Sequence, residues 1–170
     1  MGHVATVNKL IAAGANVDAI TPRSTSALDV AARHGHTLCV RALLNAGARI
    51  GPKTLTMAAK SGDIETITTL CNAGDPEAFD DRCGQAIAEA TRQNHSAAVE
   101  HLAGISTAQE VRGIGLSTAC YENNRSIAAM LIPITTPKQH RVAQTIARNA
   151  GHHELADWLD AQHHLSIDGA

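Results

Sequence analysis

The chain has 170 residues, of which 31 are alanine and only three, Phe79, Tyr121 and Trp158, are aromatic; 44% are hydrophobic. That mixture suits closely packed helices and disfavours a β-sandwich or barrel, which draws on aromatic and β-branched side chains, as well as sheet-type nucleic-acid readers, which stack bases on aromatics. A net charge of −2 with ten neutral histidines gives no bulk attraction to nucleic acid or to a membrane surface, so neither is an expected partner.

The longest apolar run, Ile127 to Ile132, falls far short of the roughly 20 residues a membrane-spanning helix needs. No charged-then-apolar leader opens the chain, and a secretory signal is not expected. Cys39, Cys71, Cys83 and Cys120 form no CxxC pair, which points to reduced thiols and a cytoplasmic location, or a host cytosol for a secreted effector.

The chain repeats itself. Residues 2–18, GHVATVNKLIAAGANVD, align with residues 35–51, GHTLCVRALLNAGARIG, at an offset of 33. Gly2, His3, Val7, Leu10, Gly14 and Ala15 fall on Gly35, His36, Val40, Leu43, Gly47 and Ala48. Ahead of the second copy stands Ser26-Ala27-Leu28-Asp29-Val30-Ala31-Ala32. This resembles the ankyrin repeat, with its T-P-L-H-x-A-A followed by G-H and V-x-x-L-L-x-x-G-A, although Ala27 stands in the Pro slot and Asp29 in the His slot. Leu55, Ala58, Ala59, Gly62, Ile67, Leu70 and Gly74 continue the pattern 27 residues on. Degenerate copies follow around Ile87, Asn94 and Leu102, then Leu116, Asn123 and Leu131, then Ala147, Gly151 and Leu159.

The resemblance implies an all-α solenoid of stacked helix-turn-helix units with short or degenerate β-hairpin fingers. The units are placed at about 1–20, 21–50, 51–77, 78–106, 107–135 and 136–161, with a flexible tail at 162–170. Gly or Asn at 2, 35, 62, 94, 123 and 151 occupies the turn between the two helices of a unit, where a positive φ is cheapest for these residues. The spacing from Gly14 to Leu28 predicts a full finger with its tip at Ile20 to Ser24. Gly47 to Leu55 predicts almost none. Gly74 to Ile87 predicts a nearly full one, entered by Pro76 and Phe79 and tipped by Asp80 to Gly84. Gly2 on a turn leaves the first unit with only its second helix. A longer chain is expected to cover its bare apolar side, with contact to another surface as the alternative.

Little in the sequence carries chemistry. His3, His36, His95 and His152 follow the turn residue, where ankyrin repeats habitually place His. His152, His153, His163 and His164 with Glu154, Asp157 and Asp160 offer zinc-ligand types, but adjacent histidines on a helix point apart and no HExxH spacing occurs, so no metal site is assigned. Cys71 and Cys120 occupy core slots; Cys83, at a finger base, is the thiol to test for reactivity. No nucleophile elbow, phosphate loop or carboxylate pair is present, so neither enzymatic activity nor a cofactor is expected.

In ankyrin repeats the two residues before the turn line the concave groove. Here they are Arg33 and His34, Lys60 and Ser61, Arg92 and Gln93, and Tyr121 and Glu122. Arg33, Lys60 and Arg92 would form a row of cations ending at Tyr121, extended by finger residues Ile20, Pro22, Arg23, Asp81 and Arg82. The resemblance implies a non-catalytic module that binds another protein or peptide, and the cation row calls for an acidic one. Two other functions stay open: a targeting or scaffold segment of a larger enzyme or effector, and a structural spacer. Leu43 sits at the core position of its unit. Leu43→Glu should cost about 4 kcal/mol or more, read as a loss of folding free energy in urea denaturation.

Overall fold

The computed structural model describes residues 3–74, 79–106 and 108–167, with the backbone alone at 79, 81 and 163–167. The helices are α1 (Val4–Ala12), α2 (Ala27–Arg33), α3 (Thr37–Asn45), α4 (Thr54–Ser61), α5 (Ile64–Ala73), α6 (Phe79–Arg92), α7 (Ser96–Ile105), α8 (Gln109–Tyr121), α9 (Arg125–Leu131), α10 (Pro137–Asn149) and α11 (His153–Ile167). Among the described residues there is no β-strand, only an isolated antiparallel bridge between Ile20 and Ser26. No helix among them is long and apolar enough to cross a membrane.

The helices stack in two layers. Helices α2, α4, α6, α8 and α10 pack in file as the inner layer, and α1, α3, α5, α7 and α9 pack as the outer one, with α11 on α10 closing the series. Contacts between successive inner helices are far more extensive than those between outer helices. The cause is side-chain size. Ala31, Ala32, Ala58, Ala59, Ala90, Ala119 and Ala147 are all buried on the inner helices, so backbones approach closely there, while Val40, Leu43, Ile67, Leu70, Val99 and Leu102 hold the outer helices further off. Closer spacing on one side curves the file, and the inner layer becomes the concave one. The all-α solenoid expected from the repeat is the fold observed.

The turns follow the sequence pattern. Gly35, Gly62 and Gly151 have φ of 62°, 72° and 85°, and Asn94 and Asn123 have φ of 59° and 54°. Gly2 lies outside the described residues. Buried polar groups then tie unit to unit. Asp29, in the slot where the ankyrin pattern carries His, closes a capping box with Ser26 and accepts the Thr54 hydroxyl of the next unit at 2.7 Å. The Thr37 hydroxyl meets that of Thr66 at 2.9 Å, and the latter's backbone N–H is capped by Asp63. His95 Nε2 lies 3.2 Å from the Lys60 carbonyl, and His152 Nε2 lies 2.9 Å from that of Tyr121. The histidine after the turn thus reaches back to the end of the preceding inner helix.

One finger differs from its expectation. The first exists as a small hairpin, with Thr21 N–H bonded to the Thr25 carbonyl and Ser24 at φ 53°. The second long finger does not form: Asp80 to Gly84, including Asp81 and Arg82, lie within α6. Cys83, Ala86, Ile87 and Ala90 are all fully buried at helical spacing, so burial extends the inner helix through the stretch read as a hairpin tip. Gly84 is a close-packing residue there, since a Cβ would sit 2.9 Å from Ile114 Cδ1. Pro76 lies outside the described residues. At the other end α11 runs past 161 to Ile167, through part of the stretch read as a tail.

Gly62 combines positive φ with crowding, because an added Cβ would lie 2.7 Å from the His95 ring. Gly47, at φ 86°, has open space around it. Gly62→Ala should therefore destabilise by about 3 kcal/mol and Gly47→Ala by about 1 kcal/mol, compared by chemical denaturation.

Candidate interaction surface

The concave face is built from the solvent side of the inner helices. Arg33, Lys60, Arg92 and Tyr121 occur at the last turn of four successive inner helices, all exposed, Tyr121 to 62%. Ile114 and Val142, exposed to 42% and 49%, add apolar area on α8 and α10.

The row is not purely cationic. Glu89, one turn before Arg92 on α6, places its carboxylate 3.7 Å from Lys60 Nζ and 3.1 Å from Arg92 Nη1. Glu122 lies 3.9 Å from Arg92 Nε. The face therefore carries an alternating ladder, Lys60, Glu89, Arg92, Glu122, with Arg33 outside it and in no ion pair with a described residue. The Glu89 side chain is only 16% exposed. Burial alone would raise its pKa, but hydrogen bonds from Gln93 and Arg92 and the charges of Lys60 and Arg92 outweigh burial and hold it below the ordinary value. Sequence reasoning missed Glu89, although its i,i+3 spacing to Arg92 was the available signal.

The other expected site residues divide. Gln93 donates to Glu89 at 3.0 Å and so supports the ladder. Ser61 is half buried and donates to the Ala58 carbonyl at 2.7 Å, which commits it to the turn. The His34 ring stacks on His36 at 5.8 Å. Ile20, Pro22 and Arg23 are exposed on the first hairpin, near the inner-helix start. Asp81 and Arg82 belong to α6 and to no finger; Arg82 is half buried.

Cys83 is fully buried, and burial, helped by the neighbouring Cys71 and Asp80, pushes it up to about 12. Burial likewise pushes Cys120 to about 12 and Cys71 to about 11. Cys83, the thiol singled out for a reactivity test at an expected finger base, lies instead in a buried helix interior, which disfavours its thiolate. Among the described residues no three His, Cys, Asp or Glu side chains group as a metal site. The C-terminal acids Asp157 and Asp160 are 3.9 and 2.8 Å from Arg148.

The depressed Glu89 value has a definite pH signature. Ionised Glu89 adds stability above the ordinary carboxylate value of 4.5, and that contribution is lost as pH falls through the lower folded value. The thermal midpoint of Glu89→Gln should lie below wild type near pH 7, and the gap should shrink as pH falls below 4.5.

Residues 1–80 match the family described as ankyrin repeats, in three copies. Over 110 residues the chain is 34% identical to the ankyrin repeat and KH domain-containing protein mask-1 of Caenorhabditis elegans; the match takes in 59% of this chain and spans 4% of that protein's length. The human ASB11 ankyrin repeat domain has the same fold, with a TM-score of 0.68 and 23% identity, over 91% of this chain and 78% of that one. Ankyrin repeats are in general protein–protein interaction modules and typically non-catalytic. The chain is thus similar to ankyrin repeats in sequence over residues 1–80 and in fold over most of its length, with the buried alanine pairs and positive-φ turns recurring along the stack.

Proposed function

We propose that the concave face binds an acidic segment of another protein in a reducing, cytoplasmic compartment. The observation that carries this is Tyr121, 62% exposed at the end of the Arg33, Lys60 and Arg92 row. A large aromatic held on a rigid helix beside arginines is the usual composition of a binding hot spot. The ladder tunes the reading: Glu89 and Glu122 hold Lys60 and Arg92 in place and lower the net positive charge, so electrostatics contribute orientation and on-rate more than affinity. The four free cysteines, three of them buried, support the reducing compartment. No catalytic step, cofactor or metal enters this function.

A second reading is favoured by one observation. The matched region is 4% of the length of the worm relative, so the repeats serve there as one part of a much larger protein. On that reading the same groove targets or scaffolds an activity carried elsewhere.

A photo-crosslinking amino acid at Tyr121 should capture a partner in cell extract, while the same group at Glu100, exposed on the outer helix α7, should not. Arg33→Glu with Tyr121→Ala should weaken binding of the captured partner about 100-fold, and binding should fall as salt rises. Equal capture at both positions, or binding indifferent to the double change and to salt, overturns the groove assignment. Arg92 is left intact because reversing it would strand Glu89.

A further inference from the structure

The chemistry of the concave face changes along the stack. Residues spaced by three and four share one face of a helix. On α8 the concave set is Ile114, Ser117 and Tyr121, and on α10 it is Val142, Thr145 and Asn149, with no charge among them. At the same register positions stand Gln85, Ala88 and Arg92 on α6, Lys60 on α4 with Lys53 at its N-cap, and Arg33 on α2. At these positions the cations belong to α2, α4 and α6, and the exposed apolar side chains Ile114, Tyr121 and Val142 to α8 and α10.

A cleft of about 470 Å³ lies at the boundary between the two halves, among α4, α6 and α8. Gly84 and Ala88 are its buried small residues, and Thr56, Gln85, Arg92 and Ile114 line the rest. Two of these carry unused hydrogen-bonding capacity. The Thr56 hydroxyl is buried and has no hydrogen-bond partner among the described residues. Leaving a buried hydroxyl unbonded is costly, and an acceptor oxygen brought to the cleft would relieve it. Arg92 donates from Nη1 to Glu89 at 3.1 Å, and its Nε is 3.9 Å from Glu122, beyond hydrogen-bond reach. Of the five N–H groups of a guanidinium, the described residues thus leave several for a partner.

We propose that the groove reads its partner in two blocks: acidic residues lie over α2, α4 and α6, apolar residues lie over α8 and α10, and a carboxylate side chain at the junction enters the cleft. This deepens the groove function proposed above and rests on it. Charge complementarity sets the first block, since Arg33, Lys53 and Lys60 face it together with Arg92. The second block follows from Ile114, Tyr121 and Val142, whose apolar area is best covered by apolar side chains. At the junction the carboxylate accepts from Arg92 and from Thr56, and its stem lies against Ala88 and Ile114. Neighbouring inner helices about 10 Å apart place α2 and α10 ~40 Å from each other, the reach of about 12 extended residues. A uniformly acidic segment would leave its far half opposite apolar side chains, and a uniformly apolar one would strand the cations.

The probe is a displayed library of random peptides of about 12 residues, panned on the full chain. Enriched peptides should carry an acidic block and an apolar block, and Arg33→Glu with Tyr121→Ala should abolish their capture. Panning on Val142→Lys, a change at an exposed position, should return peptides whose acidic residues extend into the former apolar block. Thr56→Val keeps the side-chain shape and removes the hydroxyl. It should weaken an enriched peptide about fivefold without lowering the thermal midpoint, because that hydroxyl is unbonded in the free protein. Three results overturn the two-block reading while leaving the groove function standing: peptides lost on the double change but acidic throughout or with acidic and apolar residues interspersed, selection unaltered by Val142→Lys, or affinity unaltered by Thr56→Val. Peptides indifferent to the double change, or no enriched peptide, overturn both.

Discussion

No unit of this protein can bury its own apolar face, and the rest of the structure follows from that constraint. A helix pair of some twenty residues covers too little surface to offset the entropy of ordering it. Each pair therefore depends on the next, and the contact that matters most is between successive inner helices. There the buried surface is rich in alanine beside Leu28, Leu55, Ile87 and Leu116, with Gly115 and Thr54 at positions where nothing larger fits or where a hydroxyl is needed. Small side chains on one layer and leucine, valine and isoleucine on the other set the curvature, and the curvature creates a concave face.

Polar groups set the register that apolar contact alone would leave loose. Asp29 performs two tasks at once, capping α2 and receiving the Thr54 hydroxyl, so the residue that departs from the repeat pattern still links one unit to the next. His95 and His152 bridge to the carbonyl end of the previous inner helix, which gives the histidine after the turn a structural role. On the concave face the same economy appears in charge. Glu89 engages Lys60 and Arg92 together, so the surface is ordered before any partner arrives.

The concave face combines charge and apolar area. The Lys60, Glu89, Arg92 and Glu122 ladder runs beside the exposed Tyr121, Ile114 and Val142. The charges are paired with one another along the surface, so its net charge is smaller than the row of cations alone would give.

The sequence by itself determined the repeat, its phase, the turn conformations and the all-α class. Those properties are local: glycine or asparagine is needed wherever φ turns positive, and helical spacing of leucine and alanine shows which face is buried. Only the tertiary structure decided what became of residues 79–92, because a Gly-containing stretch between two units reads equally as a hairpin tip or as helix. Burial of Cys83, Ala86 and Ile87 against the neighbouring inner helices settled it as helix, removing the expected finger and burying the thiol singled out for testing. Tertiary structure likewise decided the charge of the groove. Arg33, Lys60 and Arg92 align by repeat register, which the sequence carries, but Glu89 reaches across to Lys60 only because α4 and α6 lie side by side.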